Sequence, residues 1–362
     1  MTTALLAGGG TAGHVNPLLA LADHWRAIEP ASTLLALGTE GGLETRLVPA
    51  RGYELLTIPR VPFPRRPDAA ALRFPRRFRT AVETTRSIIR DREVDVVVGF
   101  GGYASAPAYV AARLEHVPLV AHEANARPGI ANRLAGWLGG SVGTTFPGTR
   151  LRGSRLVGMP LRREIVELDR LAARPAAVAE LGLDPDMPTL LVTGGSTGAR
   201  RLNETIGASI ARILGTGWQV LHITGRDRGG ADPALPGYRV LEYCDRMDLA
   251  FAVADLVVSR SGSATVSELA ALGLPSILVP YPVGNGEQRL NARELVAAGG
   301  AVLVADADFT PEFVAAQLVP LLTGRAEIAR MAAAAQTVGR RDGSAALLAL
   351  VREAMAAADR VG

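Results

Sequence analysis

The sequence predicts an α/β protein made of two Rossmann-like halves in tandem, each with a parallel sheet. Three observations predict it. The chain has 362 residues, too many for one typical domain and suited to two. Short apolar runs alternate with longer amphipathic stretches, the pattern of a parallel sheet covered by helices. The unit of strand, glycine loop and helix in "TALLAGGGTAGHVNPLLALA" returns a domain later in "PTLLVTGGSTGARRLNETIGASIARIL".

Each element follows from local pattern. "TALLAG" reads as a buried strand and "PLLALADHWRAI" as the helix after it. "STLLALG", "VDVVVGFGG", "PLVAHE" and "SVGTTF" continue the strands of the first half. Glycine and proline in "VGMPL" interrupt the rhythm, and "RREIVELDRLAARPAAVAELGL" reads as helix. "WQVLHITG", "YRVLEYC", "LAFAVADLVVSRSG" and "LPSILVPYP" extend the second half. The expected division is 1–158 and 159–341. A last helix, about Ser344 to Arg360 within 342–362, is expected to pack back on the first half.

Composition narrows the function classes. Hydrophobic residues make up 48% and charged residues 20%, as in ordinary globular proteins. All 39 basic residues are Arg, and the net charge is a modest +4. One cysteine, Cys244, excludes an intrachain disulfide and fits a reducing compartment. The N-terminus has no basic segment ahead of its apolar run, so a signal peptide is not expected. The uncharged runs 96–112 and 269–286 carry internal Gly and Pro, which suits strands and loops rather than a membrane span.

Gly8, Gly10 and Gly13 fit G-x-G-x-x-G, the spacing of a dinucleotide turn. That reading also asks for an acidic residue ending the second strand. "TLLALG" ends instead in Gly38 and Thr39, with Glu40 late. Further glycine or serine loops close other strands at 99–102, 194–198 and 261–263. A tight turn explains any one of them. Together they fit ligands gathered outside the carboxyl ends of strands, where backbone N–H groups and helix N-termini favour anions.

At these residues the chain resembles a known family. "GGGTAGHVNP", "GFGGYASAP" and "GGSTGARRLN" are similar to the three glycine loops of the MurG family of glycosyltransferases. "HEANARPGIANR", "VGMPLRREI", "RSGSATVSELAALGLPSILVPYP" and "GNGEQRLNA" follow in that family's order, so the likeness spans essentially the whole chain. Ala12 departs from it, where the family often has Gly. The resemblance implies a GT-B fold of two Rossmann-like domains facing across a cleft. It implies transfer of N-acetylglucosamine from UDP-N-acetylglucosamine to lipid I, giving lipid II for peptidoglycan. The donor is expected on the C-terminal half, the lipid-linked acceptor on the N-terminal half, and the reaction inverts without a metal or other cofactor.

Such a displacement needs a base for the acceptor hydroxyl and a site for the leaving diphosphate. His14, at a helix N-terminus that disfavours imidazolium, is one candidate base, and Glu123 in "HEAN" is its rival. His14 could instead only hydrogen-bond substrate, and Glu123 could be a structural carboxylate beside His122. Thr11, Ala12, Gly13 and Asn125 are expected to line the same site. Amides at Ser263, Ala264 and Thr265 would face the diphosphate, with Val266 and Ser267 continuing that helix. By the resemblance Glu268 would hold the ribose hydroxyls, although a first-turn acid also serves the helix dipole. Ser196 should reach phosphate, and Arg162 would supply a cation unless it is a solvated linker residue. Gln288 and Asn291, three apart, could read sugar hydroxyls. Cys244 would offer backbone to the uracil, its thiol being a packing group. The pairs Asp184–Asp186 and Asp306–Asp308 form D-x-D in turns, a pattern common by chance, and are not read as metal sites.

Residues 60–92 hold ten Arg against three acids, with Phe63, Leu72, Phe74 and Phe78 interleaved. Basic charge with apolar side chains, notably Phe63, Phe74, Arg76, Arg77, Phe78 and Arg79, suits the cytoplasmic face of an anionic membrane. A solvated Arg-rich helix is the plain alternative, and no nucleic-acid signature accompanies the stretch. Association with other cell-wall and division proteins is a further expectation. The rival functions are another GT-B enzyme such as a natural-product glycosyltransferase or epimerase, a nicotinamide-dependent oxidoreductase, and an inactive nucleotide-sugar-binding module.

Overall fold

The computed structural model describes every residue except 65–68, 196–197, 227–233, 359 and 361–362, and only the backbone of 69–70. The chain forms two compact units, residues 1–163 with 341–362, and residues 164–340. The first holds a seven-stranded, all-parallel sheet in the order β3-β2-β1-β4-β5-β6-β7. Its strands are β1 Thr3–Ala7, β2 Thr33–Thr39, β3 Glu54–Ile58, β4 Val96–Gly99, β5 Leu119–Glu123, β6 Ser141–Thr144 and β7 Ser154–Leu156. The second unit repeats the plan with six parallel strands in the order β10-β9-β8-β11-β12-β13. These are β8 Thr189–Thr193, β9 Gln219–Ile223, β10 Tyr238–Leu241, β11 Leu256–Ser259, β12 Ser276–Leu278 and β13 Ala301–Leu303.

In both units strand order reverses beside the first strand, between β1 and β4 and between β8 and β11. Loops leaving such a pair diverge and open a crevice at the carboxyl ends. The central strands read as continuous apolar runs because both faces are covered: β1, β4, β8 and β11 are buried almost throughout. One layer of the first core joins β1 and β4 to helix α1, Ala12–Ile28, and to the C-terminal helix Gly343–Ala358 through Leu18, Leu21, Trp25, Leu347 and Val351. The other layer joins the sheet to α3, Ala69–Asp91, and α4, Ser105–Leu114, while the short α2 spans Glu44–Ala50.

The units divide after Arg163, and Met159 and Leu161, just before the boundary, are buried. At Gly343 an added Cβ would lie 2.1 Å from the Met159 carbonyl, so only glycine lets the last helix start there. The stretch expected as one helix at 162–183 is two, Arg163–Val166 and Arg170–Leu181. Asp169 breaks it: its carboxylate accepts from Leu171 N and Ala172 N and caps the second helix.

Candidate active site

In the first unit the loops after β1 and β4 interlock. Gly102, at φ +83°, passes so close that a Cβ there would sit 2.4 Å from the Gly9 carbonyl. Thr11 caps α1 in extended conformation, and its C=O accepts from His14 N and Val15 N. His14 therefore lies in the first turn. Its Nδ1 is 3.1 Å from the Gly9 carbonyl and 3.2 Å from Thr11 Oγ1. A carbonyl can only accept, so Nδ1 carries the proton and Nε2 presents its lone pair. The Nε2 edge lies against Gly101, 3.1 Å from where a Cβ would stand there. Burial lowers the His14 pKa; the Gly9 hydrogen bond and the negative fields of Glu123 and Glu44 pull the other way and are outweighed. A neutral imidazole able to accept a proton results.

Glu123 ends β5 and is buried. It accepts from Asn125 N at 2.8 Å, Gly129 N at 2.9 Å and the Asn132 side-chain amide at 2.9 Å. It thus organises the loop leading into α5, Ile130–Trp137. Asn132 also donates to the His122 carbonyl and accepts from Tyr109 OH at 2.7 Å. Thr11, Ala12, Gly13 and His14 form one continuous loop and first turn, with Glu123 within electrostatic reach. Gly13 has room: a Cβ would meet nothing nearer than Thr11 Oγ1 at 3.7 Å.

In the second unit the loop after β11 leads into the helix Ser263–Ala271, capped by Gly262. Val266 makes its first intrahelical bond, to the Gly262 carbonyl, which leaves the N–H groups of Ser263, Ala264 and Thr265 without a carbonyl partner in the helix. Ser261 Oγ is buried there and has no hydrogen-bond partner among the described residues. Val266 and Glu268 are buried in this helix, and Ser267 is half-buried. Gln288 and Asn291 share the short helix Glu287–Asn291. Gln288 Oε1 accepts from Tyr281 N at 2.9 Å, and the buried Asn291 amide donates to the Ser261 carbonyl at 3.3 Å. Both amides therefore brace the loops of this crevice. Cys244 follows β10, half-buried, with its thiol pKa pushed up by burial. Ser196 lies outside the described residues. Arg162 is half-buried in the last segment of the first unit.

Sequence reasoning missed Glu44 and Arg260, and read Asp306 only as part of a chance D-x-D turn. Glu44 is fully buried beneath the first glycine loop. Arg260 and Asp306 pair at 2.6 Å behind the Ser261 loop, and Asp306 also lies 3.3 Å from Arg201. Asp306 is thus an ion-pair partner. Asp184 accepts from Asp186 N within its own turn.

On α3, Phe74 stacks between Phe63 and Phe78, at 5.2 and 5.5 Å between ring centres. Phe74 and Phe78 are half-buried against the core, while Leu72 is 85% exposed. The C-terminal half of the basic stretch is neutralised: Arg86 and Arg90 grip Glu115, whose pKa they pull down to about 2, and Arg92 pairs with Glu54. Arg73, Arg76 and Arg79 are exposed and have no carboxylate partner among the described residues. No helix among the described residues is long and apolar enough to cross a membrane.

With this geometry in hand, similarity to known proteins defines the class. Residues 4–144 match the glycosyltransferase family 28 N-terminal domain and 189–347 its C-terminal domain. Crystal structures of the kitacinnamycin glycotransferase (TM-score 0.68, 17% identity) and a putative UDP-N-acetylglucosamine 2-epimerase from Listeria monocytogenes (0.67, 15%) share the fold, each covering at least 97% of both chains. The fold is GT-B, and the class is glycosyltransferase. The chain belongs to the MurG family within glycosyltransferase family 28. It is 62% identical to the UDP-N-acetylglucosamine--N-acetylmuramyl-(pentapeptide) pyrophosphoryl-undecaprenol N-acetylglucosamine transferase of Leifsonia xyli subsp. xyli, covering 99% of this chain and 100% of that one. It is 50% identical to the protein of that name from Streptomyces coelicolor, over 98% and 99%. MurG of Acinetobacter baumannii superposes with a TM-score of 0.79 at 27% identity, over 98% and 100%.

Proposed function

We propose that this chain transfers N-acetylglucosamine from UDP-N-acetylglucosamine to the muramyl sugar of lipid I, giving lipid II. The observation that carries this reading is full-length identity of 62% to a relative named for that reaction. In the reaction the acceptor hydroxyl oxygen bonds to the anomeric carbon as the bond from that carbon to the diphosphate breaks, which inverts the centre. The hydroxyl proton passes to His14 Nε2, and UDP departs with the bonding electrons. The fixed Nδ1–H tautomer and lowered pKa of His14 support it as the base. Glu123, already accepting three hydrogen bonds, is better suited to positioning the loop at 125–129 and the start of α5.

The leaving diphosphate is assigned to the N–H groups of Ser263, Ala264 and Thr265 and the Ser261 hydroxyl. Ser196 and Arg162 add further donors, and Glu268 takes the ribose hydroxyls. Gln288 and Asn291 shape the sugar pocket, and Cys244 offers backbone to the base. These groups carry the charge without a metal. Thr11, Ala12, Gly13 and Asn125 belong to the acceptor side. The open, basic half of α3 with Leu72 and Phe63 supports peripheral binding at the cytoplasmic face of the membrane, where lipid I and the other cell-wall and division proteins would meet the chain.

The test is UDP release from UDP-N-acetylglucosamine with a lipid I analogue. Release no greater than without acceptor defeats the reading, and full turnover by His14→Ala removes His14 as base.

A further inference from the structure

Glu44 is a carboxylate with no contact to solvent. Its Oε1 accepts from Thr39 N at 2.9 Å and Thr39 Oγ1 at 3.1 Å. Its Oε2 accepts from Gly10 N at 2.8 Å. Burial would raise its pKa, but the hydrogen bonds from Gly10 and Thr39 outweigh that and hold it lower, so the group is an anion. Three glycines make room for it. A Cβ would come within 2.2 Å of the Glu44 side chain from Gly9, 2.5 Å from Gly38 and 2.2 Å from Gly42.

The N–H that Glu44 holds and the carbonyl that His14 holds belong to one peptide group, between Gly9 and Gly10. A carboxylate accepting from one end of an amide polarises it and makes the carbonyl at the other end a stronger acceptor. That carbonyl fixes the proton on His14 Nδ1 and leaves Nε2 open. When Nε2 takes a proton, the Nδ1–H bond to a polarised carbonyl stabilises the imidazolium. A carboxylate bonded directly to a catalytic histidine does the same work in hydrolytic triads.

We propose that Glu44 is a positioning residue for the transfer reaction, acting on His14 through the interposed Gly9–Gly10 peptide; this rests on His14 being the base. A glutamine at 44 has one acceptor oxygen where Gly10 N and Thr39 N need two, so one N–H goes unanswered. E44Q should lower kcat about 10- to 100-fold, by analogy with the loss of partners that orient metal-binding histidines. Its KM for UDP-N-acetylglucosamine should stay within about twofold, since donor binding belongs to the other unit. The low-pH limb of kcat should move to lower pH, because Glu44 no longer helps the imidazole hold a proton. A folded E44Q with kcat within about twofold and an unmoved limb overturns the proposal.

A measurement on the unaltered chain keeps the proposal testable if E44Q does not fold. With histidine and glycine labelled with nitrogen-15, the His14 ring should show Nδ1 protonated. The Gly10 amide resonance should titrate with the His14 midpoint. A Gly10 amide blind to that titration, or an Nε2–H ring, overturns the relay. The two readings separate cleanly. An active His14→Ala defeats the base assignment and the relay with it, whereas an inactive His14→Ala beside a normal E44Q defeats the relay alone.

Discussion

Lowering the pH from about 7.5 to 5 should destabilise the second unit through His222. This ring is 1% exposed in β9. Its Nε2 is 3.1 Å from Asn203 Oδ1, and its Nδ1 is 2.8 Å from Tyr238 OH. The Asn203 oxygen only accepts, so Nε2 carries the proton and Nδ1 accepts from the tyrosine. Protonating Nδ1 would force the tyrosine hydroxyl to turn and accept instead, and would bury a charge. Burial accordingly holds the pKa at about 4 against an ordinary 6.5. The unfolded chain takes the proton first as pH falls. Stability is therefore complete above pH 6.5, lost as pH drops from there, and level again below about 4. The full loss is about 3 kcal/mol, and about 2 kcal/mol is gone by pH 5. Hydrogen exchange of β9 amides, corrected for intrinsic rates, reads the opening free energy of this unit. His222→Gln removes the titration, so its loss between the two pH values should be smaller by about 2 kcal/mol. Equal pH dependence of the two proteins would refute the reasoning, whatever their absolute stabilities.

Two further predictions concern other parts of the chain. Gly102→Ala combines a φ of +83° with a Cβ 2.4 Å from the Gly9 carbonyl, and should cost at least about 2–3 kcal/mol in urea unfolding and abolish turnover. Gly13→Ala, helical and with 3.7 Å of clearance, should be neutral or stabilise by up to about 1 kcal/mol; the opposite ranking would contradict the interlocked loops. Arg76, Arg77 and Arg79 changed together to Ser should cut flotation with anionic vesicles by about tenfold or more, near 1 kcal/mol per basic residue. Undiminished flotation would sink α3 as the contact.

The parallel sheets were legible because buried parallel strands are written as unbroken apolar runs, as in Val96–Val98 and Leu190–Val192. The loops that close them were legible as glycine clusters. What escaped was pairing across sequence distance. Asp306 reads locally as one of two chance D-x-D turns, yet it binds Arg201 and Arg260. Periodicity put Gln288 and Asn291 on one face, but could not show that Tyr281 N and the Ser261 carbonyl take their amides. Asp169 was hidden inside a helical pattern because its role as a cap depends on which backbone N–H groups it faces.

Glu44 shows why the spacing of Gly8, Gly10 and Gly13 misleads. A dinucleotide turn keeps its N–H groups open for a pyrophosphate and places an acid at the end of the second strand for a ribose. Here the acid comes just after the second strand and folds back into the loop. Its carboxylate takes Gly10 N and Thr39 N, so an anion already occupies those donors. A pyrophosphate arriving there would meet a buried negative charge. Gly13, the position that gives close helix–strand packing in the dinucleotide turn, has free space beside it. Gly9, outside the fingerprint, is the glycine the site needs, because Glu44 fills the place of its side chain. The same backbone turn has thus been converted from an anion receptor into a mount for His14. The sequence signal for that change is an acid at 44 that follows glycines at 38 and 42 and faces a third at 9.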